Sequence, residues 1–569
     1  MQNLNLTNLS LLFLLILFGC SNQSSAPEHS SPNILINQIG YKPEAAKYAL
    51  LRVETDRFSI CTTNGEEVFS GVPDEWEYWE LSGDSVRLAD FSGLKKPGEY
   101  VLCVNDTLHS FPFKIAKDLF GDLADAALKS YYYARCGVDI DSVYGGKWHW
   151  KSGHPDTRVM VHESAADKNR SAGTIISSPG GWYDAGDYGK YVVNSGITTY
   201  TLLLSAELNK AYHMAQNLNI PESNNELPDI LDETLVNLKW MLTMQDPNDG
   251  GVYHKLTTKN FTGFVAPSET HEQRYVVQKS TSAALDFAAT MAHAVGVLQN
   301  FGLNELAEKA GSAAERAWGW ALSNPNVIYR QPEDISTGAY GDNSLEDEWF
   351  WAATEMYVNT GNRQFLDKIT ENYKKPVTPK WNVVNTLGVI SILTSDKRDE
   401  FPEMERDFLA HVDALIQKEQ RSPYVVSIDE FAWGSNSDVA NDGMLKLIAY
   451  QLSGGQEYLA SARNDLDYIL GRNATGYCFV TGFGTKSTRN PHNRLMASDG
   501  VDDPIPGYLA GGPNIWVMND CDPKKVERSR YPAASYIDEQ CSYSTNETAI
   551  NWNAPLVFLS SGLDAISSK

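Results

Sequence analysis

Phe111-Pro112-Phe113-Lys114-Ile115-Ala116-Lys117-Asp118-Leu119-Phe120-Gly121-Asp122-Leu123-Ala124-Asp125-Ala126-Ala127-Leu128-Lys129-Ser130-Tyr131 is the stretch that decides the fold. Up to Ile115 apolar and polar residues alternate, the period of a half-buried strand. From Phe120 the apolar positions step by three and four (Phe120, Leu123, Ala127, Tyr131), the period of a helix. The chain therefore changes character near Lys117. Upstream, short strand-like runs recur at Tyr48-Ala49-Leu50-Leu51-Arg52-Val53, Phe58-Ser59-Ile60-Cys61 and Glu99-Tyr100-Val101-Leu102-Cys103-Val104, with turn signals such as Asn64-Gly65 and Pro97-Gly98 between them. They predict a small β-sandwich over residues 34–116. Downstream, Leu231, Leu235, Leu238 and Leu242 keep the helical step, and further helices are predicted over 282–299, 304–321, 348–359, 406–418 and 457–470. Long loops hold most of the Gly, Pro and Trp. This pattern predicts an all-α toroid of helical hairpins over 117–569, with a site built from loops at one end.

At 569 residues, 42% hydrophobic and 21% charged, the chain is globular and long enough for two domains. A net charge of −25 argues against a nucleic-acid partner, which needs a basic face, and favours neutral substrates over acidic ones. The 14 Trp and 28 Tyr supply flat rings for sugar faces, though core packing accounts for many of them. At the N-terminus, an apolar stretch from Leu11 to Phe18 is too short to span a bilayer and ends at Gly19-Cys20. Leu17-Phe18-Gly19-Cys20 resembles a bacterial lipobox. Residues 1–19 are expected to be a lipoprotein signal peptide, Cys20 the lipidated residue, and 20–33 a flexible tether. The protein is then exported and touches a membrane only through that lipid. Six further Cys remain: Cys61 with Cys103 and Cys521 with Cys541 are candidate disulfides, with buried thiols as the alternative for each pair.

Two acidic sites stand far apart in sequence. Gly180-Gly181-Trp182-Tyr183-Asp184-Ala185-Gly186-Asp187-Tyr188 sets two carboxylates beside glycines and aromatics, and Tyr543-Ser544-Thr545-Asn546-Glu547 offers a single Glu. Separated carboxyl groups lined by aromatics suit cleavage of a glycosidic bond: one holds a proton for the leaving oxygen and the other takes a proton from water.

With these motifs the chain resembles glycoside hydrolase family 9 enzymes that carry an N-terminal immunoglobulin-like domain. The resemblance rests on Asn37-Gln38-Ile39-Gly40-Tyr41 in the first domain. In the second it rests on Gly181 to Asp187, Pro228-Asp229-Ile230-Leu231-Asp232-Glu233, Trp433-Gly434-Ser435-Asn436, Arg489-Asn490-Pro491-His492-Asn493-Arg494, and Asn546-Glu547 ahead of Trp552-Asn553-Ala554-Pro555. It implies an (α/α)6 barrel behind the sandwich and an inverting hydrolysis. Asp187 would be the general base, Asp184 a second holder of the attacking water, and Glu547 the general acid. Their separation would be about 6.5–9.5 Å, and the pKa of Glu547 would be raised. His254, His492 and Arg494 match sugar-binding positions, with Asn493 replacing a second His. Trp433, Tyr543 and Trp182 are candidates for sugar stacking or for shaping the subsite, with core packing as the alternative. Asp347-Glu348 matches a segment that supplies calcium ligands, with an acidic helix start as the alternative. Some relatives hold zinc on Cys and His before the Asp-x-x-Asp loop. Here Cys136 and His154 remain but Gly153 stands where a second Cys belongs, so no zinc is expected and no cofactor is required.

The activity expected is endo-β-1,4-glucanase action on soluble or amorphous glucans: cellulose-like, mixed-linkage or xyloglucan. An exo-acting β-glucosidase or glucosaminidase of the same family is the alternative, and a non-catalytic glycan-binding lipoprotein a more distant one. For the N-terminal domain, an interface that stabilises the barrel is expected in preference to glycan binding.

Overall fold

A computed structural model describes residues 30–105 and 107–567. The leader expected at 1–19, Cys20 and most of the 20–33 tether lie outside the described residues. Ten short strands form the first domain: β1 (Ile34–Leu35), β2 (Gly40–Tyr41), β3 (Tyr48–Leu51), β4 (Phe58–Thr62), β5 (Glu67–Gly71), β6 (Glu77–Trp79), β7 (Asp84–Asp90), β8 (Gly98–Val104), β9 (Leu108–His109) and β10 (Phe113–Ile115). One sheet has the order β1-β3-β7-β6; the other has β2-β10-β8-β4-β5, with β9 on β8. Phe58, Ile60, Phe91, Leu102 and Phe113 fill the space between the sheets.

The pleat of β3 explains how this domain docks. Ala49 and Leu51 point into the sandwich, whereas Leu50 points the other way and joins Leu35, Val86 and Trp79 in the apolar core of the second domain. Polar contacts surround that seam. Asn37 Nδ2 donates to Asp467 Oδ1 at 2.7 Å, and Gln38 Oε1 accepts from the Thr485 and Lys486 amides at 2.9 and 2.8 Å. Lys42 Nζ meets Asp564 Oδ1 at 2.7 Å. A shared core of this kind gives the expected stabilising interface a physical form.

The second domain is two concentric layers of helices. The inner layer consists of Val192–Leu208, Thr281–Asn300, Glu346–Thr360, Asn385–Thr394, Ser435–Ser453 and Ile550–Ser567. Each packs on the next, and the last returns to the first, so the ring closes. Between successive inner helices the chain passes outside through Asp229–Thr243, Asn304–Ser323, Leu366–Asn372, Pro402–Arg421 and Gln456–Ile469, after starting at Gly121–Tyr133. The inner helix Thr281–Asn300 is long and apolar enough to cross a membrane, but 89% of its apolar window is buried in protein, so it is a core helix. A five-stranded sheet at the loop end pairs Lys190–Tyr191 with Lys255–Thr257, antiparallel.

Of the two candidate disulfides, Cys521 and Cys541 are bonded, with Cα atoms 5.2 Å apart. Cys61 and Cys103 are buried and not bonded to each other, the alternative reading for that pair. Cys61 pairs across the ladder with Val101, and Cys103 with Ser59, so the two thiols are diagonal neighbours. Diagonal positions stand about 7–8 Å apart, beyond the usual reach of a disulfide.

Candidate active site

The Asp184–Asp187 loop is laced to the barrel before it reaches the cleft. Gly181 lies in the left-handed region at φ 79°, and a Cβ there would sit 2.7 Å from the Trp240 ring. The Gly181 carbonyl accepts from the Cys136 amide at 2.8 Å, and the Tyr183 amide donates to Ala134 O at 2.8 Å, tying the loop to the end of Gly121–Tyr133. Lys190 Nζ donates to Gly180 O at 2.7 Å and pairs with Asp156 at 2.7 Å. Both carboxylates are then held by hydrogen bonds, Asp184 by side chains beyond the loop and Asp187 by its near neighbours. Asp184 Oδ1 accepts from Asn194 Nδ2 at 2.6 Å and its Oδ2 from the Tyr340 hydroxyl at 2.7 Å. Asp187 Oδ2 accepts from the Gly189 amide and the Tyr191 hydroxyl, each at 2.9 Å. Burial, and next the charge of Asp187, push Asp184 well above the usual carboxylate range.

Glu547 reaches the same place from the other end of the chain. The Asn546 carbonyl accepts from the His492 amide at 2.9 Å, and the Glu547 carbonyl from the Gly511 amide at 2.8 Å. Glu547 Oε1 lies 3.3 Å from the Gly186 amide, which donates to it. Gly186 is required here: a Cβ would stand 2.2 Å from His492 O and 3.0 Å from Glu547 Oε1. Burial first, and the Asp187 charge second, push Glu547 up to about 8, outweighing the Gly186 amide that favours its charged form. The arrangement sets a carboxyl that keeps its proton at neutral pH beside two others on a separate loop.

His492 and Arg494 converge on this site. His492 Nδ1–H donates to Gln540 O at 2.7 Å, which leaves Nε2 as the acceptor face, and burial lowers its pKa. Arg494 Nη1 donates to Gly186 O at 2.5 Å and Nε to Thr262 O at 2.9 Å, with the guanidinium over Phe261 and Phe264. Asn493 turns inward: its Oδ1 caps the helix Arg494–Ser498, and its Nδ2 donates to Thr548 Oγ1 at 3.1 Å. Trp433 is 43% exposed and packs on Tyr543 with ring centroids 5.4 Å apart, so the two form one wall of the cleft.

Two candidates take other roles. Trp182 is fully buried against Tyr131, centroid distance 4.6 Å, and has no face for a sugar. His254 is also fully buried: Nε2–H donates to Ala339 O at 3.0 Å, Nδ1 accepts from Ser280 at 2.9 Å, and the ring stacks on Tyr329 at 3.9 Å. Burial lowers its pKa to about 3, so it stays neutral. With both nitrogens engaged, His254 holds the backbone that carries Tyr340.

Tyr340 and Tyr191 escaped the sequence reading. Tyr340 sits at φ 47°, uncommon for an aromatic residue, and its ring packs on Tyr191 at 4.7 Å. A sequence cue to Tyr191 existed only in its distance of four positions from Asp187; none pointed to Tyr340.

Near Asp347 and Glu348 two more acids appear, the fully buried Asp286 on Thr281–Asn300 and the half-buried Asp342. Both oxygens of Asp286, Asp342 Oδ2 and Glu348 Oε2 are buried without hydrogen bonds. Burial, with Asp347 the next cause, raises Asp286 and Glu348 well above the usual range. The donor chemistry fits a hard cation, although among the described residues no three such side chains are arranged as a finished metal site. At Cys136 and His154 the residues do not fit zinc. Both His154 nitrogens are bonded, to Tyr183 at 2.9 Å and Thr270 at 2.6 Å, and Asp156 is paired with Lys190 and Arg274. A Cβ at Gly153 would stand 1.8 Å from Pro267 O, so this backbone has no room for a Cys there.

Residues 120–560 match the model of glycosyl hydrolase family 9, and residues 29–108 that of the cellulase N-terminal Ig-like domain. The chain is 43% identical over 563 residues to a xyloglucan-specific endo-β-1,4-glucanase of Bacteroides ovatus, covering 94% of each. It is 32% identical over 544 residues to endoglucanase D of Acetivibrio thermocellus, covering 93% of this chain and 83% of that one. Among solved structures, a Bacteroides ovatus GH9 protein superposes with a TM-score of 0.88 at 42% identity, covering 94% of this chain and 99% of that one. A complex of AaCel9A with cellobiose-like isofagomine superposes at 0.86 and 31% identity, covering 94% and 100%. With its sandwich, its closed double ring of helices and its matched motifs in order, this chain belongs to glycoside hydrolase family 9.

Proposed function

We propose that the protein is an inverting endo-β-1,4-glucanase and that xyloglucan is its first substrate to test. The observation that carries the chemistry is the proton-holding Glu547 carboxyl set against Gly186, beside the Asp184–Asp187 pair. In the reaction, water attacks the anomeric carbon from the Asp187 side and gives its proton to Asp187, while Asp184 helps hold that water. The Glu547 proton passes to the leaving glycosidic oxygen as its bond to the anomeric carbon breaks. Attack opposite the leaving group inverts the configuration; Asp187 then releases its proton to solvent and Glu547 takes one up, restoring the starting state. A run of aromatic rings from exposed Phe264 through His492 and Tyr543 to exposed Trp433 supports an open, endo-acting groove. The Bacteroides ovatus relative supports xyloglucan.

Digestion of xyloglucan, mixed-linkage glucan and carboxymethylcellulose, with viscosity and reducing ends followed together, tests the reading. A steep viscosity fall with few new ends is expected. Release of mono- or disaccharide at preserved viscosity would replace it with exo action.

Two accessory features belong to the same proposal. Asp347 and Glu348 would supply oxygens to a structural calcium ion whose charge also offsets that of buried Asp286, and which takes no part in the reaction. Calcium should then raise the melting temperature and a chelator lower it, with Asp286→Asn blunting both. Cys20 would carry a lipid after export, and labelled fatty acid should be absent from Cys20→Ala.

A further inference from the structure

Three exposed apolar side chains lie within four residues of one another on the segment that approaches the acid. Ile515 is 39% exposed, Trp516 65% and Met518 36%, and they neighbour Trp433 at 43%. The Ile515 amide donates to Phe431 O at 3.4 Å, which brings the Trp516 segment alongside the strand of chain that carries Trp433. A single exposed ring is ordinary, but neighbouring apolar side chains exposed together mark a binding surface.

The backbone under Trp516 is unusually constrained for a surface turn. Its amide donates to Asn514 Oδ1 at 2.6 Å, and Asn514 Nδ2 donates to Ser544 O at 2.9 Å, next to Tyr543. Arg528, buried to all but 5% of its side chain, clamps both flanks of the turn. Its guanidinium donates to the Asn514 carbonyl, to Val517 O at 2.6 Å and to Ser544 Oγ at 3.0 Å, and it pairs with buried Asp520 at 3.2 Å. Cys521–Cys541 closes the same loop. The ring is thus exposed while the chain beneath it is fixed, the condition for binding without a large ordering cost.

We propose that Trp516, with Ile515 and Met518 at its edges, is a distal sugar subsite that stacks on the β-glucan chain where it runs out of the cleft past Trp433. The occupant is a polysaccharide because the Ile515–Phe431 and Asn514–Ser544 hydrogen bonds set the patch beside the Trp433–Tyr543 pair, and because an exposed indole face suits neutral sugar faces. The inference deepens the glucanase reading and rests on it. It makes Trp516 a determinant of chain-length preference: a polymer reaches it, whereas a short oligosaccharide bound at the carboxyls does not.

The test compares Trp516→Ala and Trp516→Phe with the unaltered full chain. The ratio of kcat/KM on xyloglucan to kcat/KM on cellotetraose should fall about tenfold in Trp516→Ala and recover in part in Trp516→Phe. Val72→Ala, an exposed apolar side chain on the sandwich, should leave it unchanged. Affinity electrophoresis on xyloglucan with Glu547→Gln, with and without Trp516→Ala, reads binding without turnover. Retarded migration of Glu547→Gln that is relieved by Trp516→Ala is expected. An unchanged ratio together with unchanged migration overturns the subsite and leaves the glucanase reading intact. A wild-type protein inert on all β-glucans overturns that reading instead, and the electrophoresis then decides Trp516 alone.

Discussion

Asp184 and Asp187 occupy a loop fixed from within, whereas Glu547 follows a segment fixed from outside. The acid pair is bonded to Asn194, Tyr191 and Tyr340, and its loop is wedged against Trp240, with its own Trp182 packed on Tyr131 in the barrel core. The Glu547 segment lies under a loop with little apolar cover, and there the fixings are polar and covalent. Asp520 Oδ2 accepts from the Ser544 amide at 2.9 Å and from its hydroxyl at 2.6 Å, Arg528 pairs with Asp520, and Cys521–Cys541 ties the ends. A site that must keep two separate groups in register needs both sides stiff. Where hydrophobic burial is available, it does this; near the surface, a charge clamp and a disulfide replace it.

The largest effect expected separates the chemistry of the two sides. Glu547→Gln and Asp187→Asn should each lower kcat on xyloglucan by about 10³-fold or more, since each removes one proton-transfer partner. Glu547→Gln should retain much of its activity on an aryl glycoside with a good leaving group, which needs no acid, and Asp187→Asn should not. Equal behaviour of the two variants would erase the distinction between acid and base.

pH sharpens the same contrast. Glu547 keeps its proton up to about 8, so kcat/KM should fall above that pH, and Glu547→Gln should lose this limb. The sign for stability runs the other way from that of a salt-bridged acid. Between the usual carboxylate range and about 8 the folded state holds a proton that the unfolded chain has released, so this group costs stability progressively as pH rises through that window. Denaturant midpoints of wild type and Glu547→Gln should therefore diverge from pH 5 to pH 8.

Smaller effects probe the fixings. Tyr340→Phe removes the donor to Asp184 Oδ2 and should lower kcat about tenfold with KM nearly constant, as a lost buried hydrogen bond of about 1–1.5 kcal/mol implies. Cys521→Ser/Cys541→Ser should cost about 3 kcal/mol in the unfolding of that loop yet only a few-fold in kcat, because Arg528 and Asp520 remain. A larger loss from the disulfide pair than from Tyr340 would mean that the outer clamp, not the inner one, sets the geometry.

Legibility followed physical contrast along the chain. Pro402–Arg421 and Gln456–Ile469 could be read because they bury one stripe and wet the other. Val192–Leu208, Asn385–Thr394, Ser435–Ser453 and Ile550–Ser567 belong to the inner ring and are buried nearly all round, so their periodicity has no polar face to show it. The carboxyls were legible through short motifs with glycines and aromatics around them. For Trp182 and His254 the structure takes the core-packed reading, a choice the sequence could not make because no local pattern tells which face of a ring meets solvent. Tyr340 arrives through a strained turn more than 150 residues from Asp184, a distance at which sequence spacing carries nothing. Asp286 had a cue of its own: it is the only acidic residue in the apolar helix Thr281–Asn300.

The salt bridge between Lys42 and Asp564 joins the beginning of the described chain to its end, and Asp564 also accepts from the Phe120 amide at 3.2 Å. The helix that carries Asp564 is the one that closes the inner ring. During synthesis the sandwich is finished first, and its outward-facing Leu35 and Trp79 wait in water until the chain has reached Tyr424, Phe431 and Gly476, which meet them. The ring itself closes later still, when the helix that carries Asp564 packs on Val192–Leu208, so a chain released before that helix has an open barrel, a ready target for chaperones and proteases.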